Sequence, residues 1–190
     1  MNLTFNEANH EYRLEGIKIP SVTQIIGGAG LSDFSKVNPE LLERAKKFGT
    51  AAHSATYLYD KGNLNIQALD PALEPYLEAW ILFKRDFGIT KFTEIEKQVY
   101  STKYQYAGCL DRLWEDTLIE IKTCTTIPKT TGLQLVGYQG AYEEMYKVKI
   151  KRRICVQLLD GIYKMEEYKE KSDFRVFTSC LNITNWRKLN

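Results

Sequence analysis

The sequence has 190 residues, of which 44% are hydrophobic and 26% are charged, and its formal net charge is +2. These values predict one compact domain spanning residues 1–190 and exclude a disordered chain. The charge is too small to indicate nucleic-acid binding by itself. No apolar run is long enough to cross a membrane, and residues 1–7 lack the layout of a signal peptide. We therefore expect no membrane partner and an intracellular, cytoplasmic location.

The first half of the chain predicts short strands and then helices. Weak alternation of apolar and polar residues indicates strands, and the predicted strands are 3–5, 12–14 and 17–19. Capping residues, and apolar residues at spacings of three and four, indicate helices. The predicted helices are 21–26 with Ser21 as N-cap, 39–60 beginning at Pro39, and 71–87 followed by a C-cap at Gly88.

The second half changes period. The predicted strands are 92–99, 105–114, 118–123, 153–159 and 163–167, with turns at 115–117 and 160–161. A helix is predicted at 133–146, after a polar loop at 124–131, and another near the C-terminus. Helices, then strands, then a helix, then strands predict an α/β (α+β) fold, a central mixed β-sheet flanked by helices.

The residues that carry chemistry are Asp111, Glu120 and Lys122. If residues 115 and 116 form a hairpin tip, position 111 faces position 120, and opposed residues of an antiparallel pair have Cβ atoms about 5 Å apart. Lys122 lies two residues beyond Glu120 and shares its face of the sheet, whereas Ile121 points into the core. The hairpin thus predicts two carboxylates and a lysine on one face.

Two carboxylates at that distance repel each other unless a positive charge lies between them. Magnesium or manganese suits such hard oxygen ligands, and a neighbouring lysine can hold a phosphate oxygen or orient a water molecule. The three residues therefore suit attack of a metal-activated water on a phosphodiester. They also fit an exposed strand on which Glu120 and Lys122 are ordinary surface charges.

Two helical pairs accompany the triplet. Gln134 and Tyr138 are four residues apart and share a helix face, and so do Gly49 and His53 on an earlier helix. The imidazole can add a nitrogen ligand, and the glycine can permit close packing. Each pair also fits a purely structural role.

The order of these motifs resembles the PD-(D/E)XK nuclease superfamily. The motifs are His53, Gly-x-x-Asp ending at Asp111, Glu-x-Lys at 120–122, and Gln-x-x-x-Tyr at 134–138. The sequence is most similar to the branch of RecB-type nucleases and phage exonucleases. The resemblance covers roughly residues 40–146, and the segments 10–12 and 19–23 also resemble the start of phage-encoded members.

The resemblance implies a restriction-endonuclease-like core that cuts DNA, as an exonuclease in recombination, repair or phage DNA processing, with Mg²⁺ or Mn²⁺. The implied metal ligands are His53, Asp111, Glu120 and the carbonyl of Ile121. The implied catalytic residues are Lys122, Glu120, Asp111, Gln134 and Tyr138. Gln134 and Tyr138 would orient the lysine or the DNA phosphates.

The sequence also departs from parts of this branch. Many members hold an iron–sulfur cluster with four cysteines, three of them close together near the C-terminus. The cysteines here are Cys109, Cys124, Cys155 and Cys180, without a CxxC pair. We therefore expect no iron–sulfur cluster and four buried free thiols. An acidic residue upstream of the hairpin would correspond to Glu94 or Glu96, but the spacing places neither, and both also fit exposed strand charges.

DNA contacts beyond the site would need further basic or aromatic residues. The basic candidates, which also fit exposed charged faces, are Lys46, Lys47, Lys129, Lys149, Lys151, Arg152 and Arg153. The aromatic candidates, which better fit packing within a sheet, are Tyr104, Tyr106 and Trp114. The alternative function is a non-catalytic DNA-binding or assembly module on the same fold. A homo-oligomer or a recombination partner protein fits either function.

Overall fold

A computed structural model describes residues 2–32 and 37–189 of the chain. Its strands are β1 Leu3–Asn6, β2 Glu11–Leu14, β3 Ile17–Ile19, β4 Glu94–Ser101, β5 Tyr106–Trp114, β6 Thr117–Lys122, β7 Arg152–Leu158 and β8 Tyr163–Glu167. Its α-helices are α1 Val22–Gly28, α2 Pro39–Asp60, α3 Glu74–Asp86, α4 Thr131–Tyr146 and α5 Asp173–Leu189. Short 3₁₀ turns lie at Glu7–Asn9, Ile66–Ala68 and Pro71–Leu73.

Local sequence signals explain most of these boundaries. Ser21 caps α1 in a capping box with Gln24, as its position before the helix predicts. The prediction of one continuous helix over 71–87 was wrong. A 3₁₀ turn comes first and α3 begins only at Glu74, because Pro75 lacks an N–H and is tolerated only in the first turn of a helix.

The larger sheet has the strand order β4-β5-β6-β7-β8. The β6–β7 pair is parallel and the other pairs are antiparallel, so the sheet is mixed. The parallel pair requires a crossover connection, which α4 provides. The predicted fold class, a central mixed sheet flanked by helices, is confirmed. The smaller antiparallel sheet has the order β1-β2-β3.

Each face of the larger sheet is covered by helices. Leu110 and Leu118 pack with α1, α4 and α5 on one face. Ile119 and Ile121 pack with Trp80 of α3 on the other face. The alternation of Leu118, Ile119, Glu120 and Ile121 therefore directs Glu120 toward the side of α4, as the period-two pattern predicts. None of the described helices is both long and apolar enough to cross a membrane.

The turn between β4 and β5 is held by a single carboxylate. Glu144 of α4 accepts hydrogen bonds from Ser101 Oγ (2.5 Å), from the backbone N–H (2.8 Å) and hydroxyl (2.5 Å) of Thr102, and from the Lys103 N–H (3.1 Å). Burial opposes the charged form, but these bonds bring the pKa of Glu144 below its ordinary value of 4.5. Glu144 therefore fixes the hairpin whose second strand carries Asp111.

Glu144→Gln should lower the free energy of unfolding by about 1–3 kcal/mol at neutral pH, the scale of hydrogen bonds to a charged group. Because the folded-state pKa is lowered, this stabilisation is present above 4.5 and is lost as the pH falls through the folded-state pKa. Denaturant unfolding of both proteins across this range should show the gap closing in acid. Glu115→Gln, at the exposed tip of the β5–β6 hairpin, is the control. A gap that stays constant into acid would contradict the assignment.

Candidate functional site

Strands β5 and β6 part where the predicted site residues lie. Their ladder runs from Trp114–Thr117 to Arg112–Ile119, so the next opposed residues are Asp111 and Glu120, as the hairpin predicts. The ladder stops there because the Ile121 N–H donates to Asp111 Oδ2, at 2.7 Å, rather than to a backbone carbonyl. Asp111 is 7% exposed and Glu120 is 2% exposed. The site thus begins with two buried carboxylates at a fork in the sheet.

A third carboxylate, Glu96, lies opposite Asp111 on β4. Ile95 pairs with Arg112 and Lys97 with Leu110, which leaves Glu96 facing Asp111. Glu96 adopts a left-handed backbone conformation (φ 48°), which costs a non-glycine residue of order 1 kcal/mol. Glu96, Asp111 and Glu120 therefore form one row across three strands, which we call the carboxylate row.

At the left-handed residue Glu96, the regular alternation of side chains between the two faces of the sheet is reversed. Ile95 packs in the cluster that contains α3, whereas Leu110, opposite Lys97, packs in the cluster that contains α4. Simple alternation would put the 95–112 pair and the 97–110 pair on the same face. The reversal occurs at the 96–111 pair, so this pair lies at the fork rather than beneath either helical layer.

His53 of α2 lies beside the carboxylate row. Its Nε2 is hydrogen-bonded to the Ile121 carbonyl at 3.2 Å, and its Nδ1 lies 3.6 Å from Asp111 Oδ1 and 3.9 Å from Glu96 Oε1. Ligand atoms of His53, Glu96 and Asp111 all lie within 4.8 Å of one another. Burial favours the neutral imidazole, but the neighbouring carboxylates of Asp111, Glu96 and Glu120 raise the pKa of His53 to about 9.

Gly49 does not have the packing role proposed for it. A Cβ built at Gly49 would meet Thr123 Oγ1 at 3.7 Å, which is ordinary van der Waals contact. The approach of α2 to β6 therefore does not require a glycine at this position.

On the other side of the row, Lys122 begins a chain of hydrogen bonds. Its Nζ donates to Glu120 Oε1 at 2.7 Å and to Gln134 Oε1 at 3.1 Å, and Gln134 Nε2 donates to the Tyr138 hydroxyl at 3.1 Å. Burial opposes the charge of Lys122, but Glu120 and Asp111 hold its pKa well above the ordinary value. The structure thus brings together Glu120, Lys122, Gln134 and Tyr138 in the order in which the sequence pattern placed them.

Two features of the carboxylate row favour the binding of a cation. Glu120 Oε2 is buried and, among the described residues, has no hydrogen-bond partner. Burial and the neighbouring charge of Glu120 raise the pKa of Asp111 to about 7. One ligand atom each of His53, Glu96 and Asp111 lies within 4.8 Å of the other two, a spacing that a single hard cation can bridge. The donors present therefore fit a divalent cation.

The buried guanidinium of Arg112 holds the carboxylate row in place. Arg112 has a fully buried side chain and donates to Glu96 Oε1 and to the Asp111 carbonyl, both at 2.8 Å, and to Asp60 Oδ2 at 2.8 Å. Asp60 also accepts from Trp80 and Lys84. Burial raises the pKa of Glu96, but His53 and Arg112 outweigh it and lower the pKa overall. Sequence reasoning did not find this network.

Most of the outlying basic candidates have structural partners. Lys149 pairs with Glu143, Lys151 with Asp116, and Arg152 with Glu167. Arg153 is 8% exposed, bonded to Asp173 and the Gly132 carbonyl. Because Arg152 pairs in parallel with Thr117, this group lies at the end of β6 opposite Lys122. Lys46, Lys47 and Lys129 are exposed.

The aromatic and cysteine predictions have mixed outcomes. Tyr106 is buried and its hydroxyl donates to the Gly137 carbonyl at 2.8 Å, and Trp114 packs in the cluster of α3. Both therefore serve the core, as the strand pattern favours. The four cysteines are free thiols, but only Cys155 and Cys180 are buried. Cys124 is exposed, so its predicted burial was wrong, because it lies just beyond the end of β6.

Comparison with known proteins adds little to this geometry. No family model matches the chain, and no curated protein matches it. Solved structures that match include one titled "Crystal structure of SSO0001", with 17% sequence identity and a TM-score of 0.38. That match covers 73% of this chain and 72% of the other.

Gly108→Ala should displace Tyr138 from the hydrogen-bonded chain. The added Cβ would lie 2.5 Å from Tyr138 Cε1 and 3.0 Å from Cδ1, and such overpacking costs about 1–3 kcal/mol. Denaturant unfolding measures the loss. Gly49→Ala is the matched control, and its helical site should gain about 0.5–1 kcal/mol. Equal stability of the two variants would show that Gly108 does not position Tyr138.

Proposed function

We propose that the chain is a metal-dependent DNA nuclease of the PD-(D/E)XK type, hydrolysing phosphodiester bonds. The observation that carries the proposal is the carboxylate row beside Lys122, in which Asp111 and Glu120 are buried and one oxygen of Glu120 has no hydrogen-bond partner among the described residues. Like charges this close require a counter-charge, and the lysine engages only the other oxygen of Glu120. A purely structural ion pair would not need Glu96, Asp111 and His53 within ligand distance of one another.

Mg²⁺ or Mn²⁺ fits the oxygen-rich donor set. We assign His53, Glu96 and Asp111 as ligands of the ion. Glu120 and the Ile121 carbonyl lie next to these three residues and complete its surroundings. When bound, the ion supplies a Lewis acid that lowers the pKa of a ligated water and offsets charge on a phosphate. Glu96 extends the ligand set that the sequence resemblance implies, and no iron–sulfur cluster is proposed.

The residues around Lys122 would hold and orient the phosphate. The Lys122 ammonium is a point charge with one donor to spare after its bonds to Glu120 and Gln134. Gln134 is itself oriented by the Tyr138 hydroxyl. This arrangement fixes the ammonium beside the carboxylate row, where it can stabilise negative charge that develops on a phosphate oxygen.

Exonuclease action in recombination, repair or phage DNA processing is the form of the proposal that the motif order favours. An intracellular location and DNA as partner belong to the same proposal. A homo-oligomer or a recombination partner protein is compatible with it.

Single substitutions in the row should abolish cleavage of labelled DNA without unfolding the protein. Asp111→Asn, Glu96→Gln and Lys122→Met should each lower the rate by about a hundredfold or more, the scale on which loss of one electrostatic group acts. Glu94→Gln is the matched control, because Glu94 lies on the same strand but pairs with Lys97 at 3.5 Å. Circular dichroism checks the fold. Full activity of all three variants would refute the proposal.

Metal should stabilise the wild type and not the row variants. A ligand that binds only the folded state raises the free energy of unfolding by about 2.7 kcal/mol at a hundred times its Kd, and so raises the unfolding temperature. Thermal unfolding with Mg²⁺, Mn²⁺ or EDTA should show this shift for wild type and Glu94→Gln, but not for Asp111→Asn. Without metal, Asp111→Asn should be at least as stable as wild type, because one like charge has been removed. An identical shift in Asp111→Asn would place the metal elsewhere.

The same metals distinguish a nuclease from a binding module. Linear and closed circular DNA are incubated with Mg²⁺, Mn²⁺ or EDTA. Metal-dependent loss of linear DNA alone indicates an exonuclease, and loss of both indicates an endonuclease. DNA binding without cleavage in any metal would favour the non-catalytic module.

A further inference from the structure

The small sheet packs against β4 and β5 near the carboxylate row. The Ala107 N–H donates to the Pro20 carbonyl at 3.0 Å, and Ser21 bridges Ala107, so β3 runs into β5. Tyr12 packs on Ala107 and Tyr100, which are themselves a pair of the β4–β5 ladder. The small sheet therefore covers the 100–107 pair.

Only a short stretch of the β4–β5 ladder separates the small sheet from the carboxylate row. Beyond the Val99–Gly108 pair, which points to the other face, come Gln98 with Cys109 and then the row at 96–111. Gln98 is exposed and Cys109 is half-buried, with its Sγ 3.7 Å from Glu96 Oε2. Four residues of strand span roughly 13 Å. The 98–109 pair thus lies between the small sheet on one side and the carboxylate row with His53 on the other.

Aromatic rings cluster on the small sheet beside this pair. Phe5 stacks on Tyr12 with ring centroids 4.4 Å apart, and His10 meets both rings edge-on, at 5.3 Å and 5.9 Å. Tyr12 is buried, Phe5 is half-buried and His10 is exposed. Tyr12 also lies within electrostatic reach of Cys109 and Glu96, which together with burial raise its pKa. We call Phe5, His10 and Tyr12 the aromatic cluster.

His10 is held in an unusual conformation. It ends the 3₁₀ turn with a left-handed backbone (φ 51°), and Gln24 of α1 donates to its carbonyl at 3.2 Å. The backbone of His10 is therefore fixed, and its imidazole ring is exposed.

We propose that the aromatic cluster binds an unpaired base of the DNA strand whose phosphate lies at the carboxylate row, so that the enzyme acts on single-stranded DNA or on an unpaired end. This inference rests on the proposed nuclease function and specifies its substrate. Aromatic side chains stack on unpaired bases of any sequence. Bases inside a duplex are stacked on one another and offer only their edges in the grooves, so away from its ends paired DNA has no ring face for the cluster to stack on.

The test measures DNA affinity without cleavage, by fluorescence anisotropy of Asp111→Asn in EDTA. The probes are a labelled single-stranded oligonucleotide and the matching blunt duplex. His10→Asn removes the ring while tolerating the left-handed backbone, and Phe5→Leu keeps apolar packing on Tyr12. Each should weaken single-strand binding by roughly five- to fiftyfold and leave duplex binding unchanged. Ile17→Ala, at an exposed site on the same sheet, is the control and should change neither.

A second series replaces single nucleotides of the oligonucleotide with abasic ones. One position should lose as much affinity as His10→Asn does, and the two changes together should lose little more, because they remove the same contact. Equal loss for single strand and duplex, no loss in either variant, or fully additive losses would overturn the inference. Any of these results would leave the nuclease proposal standing if the wild type cuts DNA with metal. Absence of all DNA binding and all cleavage would overturn both.

Discussion

The structure around the fork depends on one constraint: three carboxylates lie close together, and two of them, Asp111 and Glu120, are almost excluded from water. Glu96, Asp111 and Glu120 face one another across three strands, and charges buried in this way destabilise a fold unless partners compensate them. The chain supplies Arg112 behind Glu96, Lys122 beside Glu120 and His53 against Asp111. Each partner comes from a different element, so the cost of gathering the acids is offset only when strands and helices are assembled together.

The packing of the sheet makes this assembly possible. The neighbours of Glu120 along β6 alternate between two apolar layers, with Leu118 toward α4 and Ile119 and Ile121 toward α3. A slip of one residue would bury Glu120 and Lys122 under α3, so the register is strongly specified. The crossover through α4 then returns Gln134 to within 3.1 Å of Lys122. Gly108 allows α4 to pack closely on β5, because a larger residue would collide with Tyr138.

The sequence alone predicts the parts of the site that depend on regular periods. The 111–120 opposition follows from a two-residue hairpin tip, and the shared face of Gln134 and Tyr138 follows from helical spacing. Glu96 could not be placed, because its position depends on the length of the β4–β5 turn and its backbone leaves the regular strand conformation. The Arg112–Asp60 pair joins residues 52 apart, and no local pattern signals such a contact. The start of α3 at Glu74 follows from the proline rule at Pro75, whereas the apolar periodicity by itself favours an earlier start.

Within the part of the chain that the structure describes, Glu120 Oε2 has no hydrogen-bond partner, and this bears on why the carboxylate row exists. A lysine that merely neutralised the acids would be expected to engage them fully, yet Lys122 bonds one oxygen of Glu120 and turns to Gln134. The remaining buried oxygen costs the free energy of a carboxylate oxygen removed from water without a partner. Folds retain such costs mainly where a ligand offsets them or where function requires them. The same reasoning applies to the left-handed backbone of Glu96, which directs a third carboxylate to the fork. Under the proposed function, a bound cation would offset the cost of the unpaired carboxylate oxygen, so the metal-free protein would be less stable than the metal-bound one.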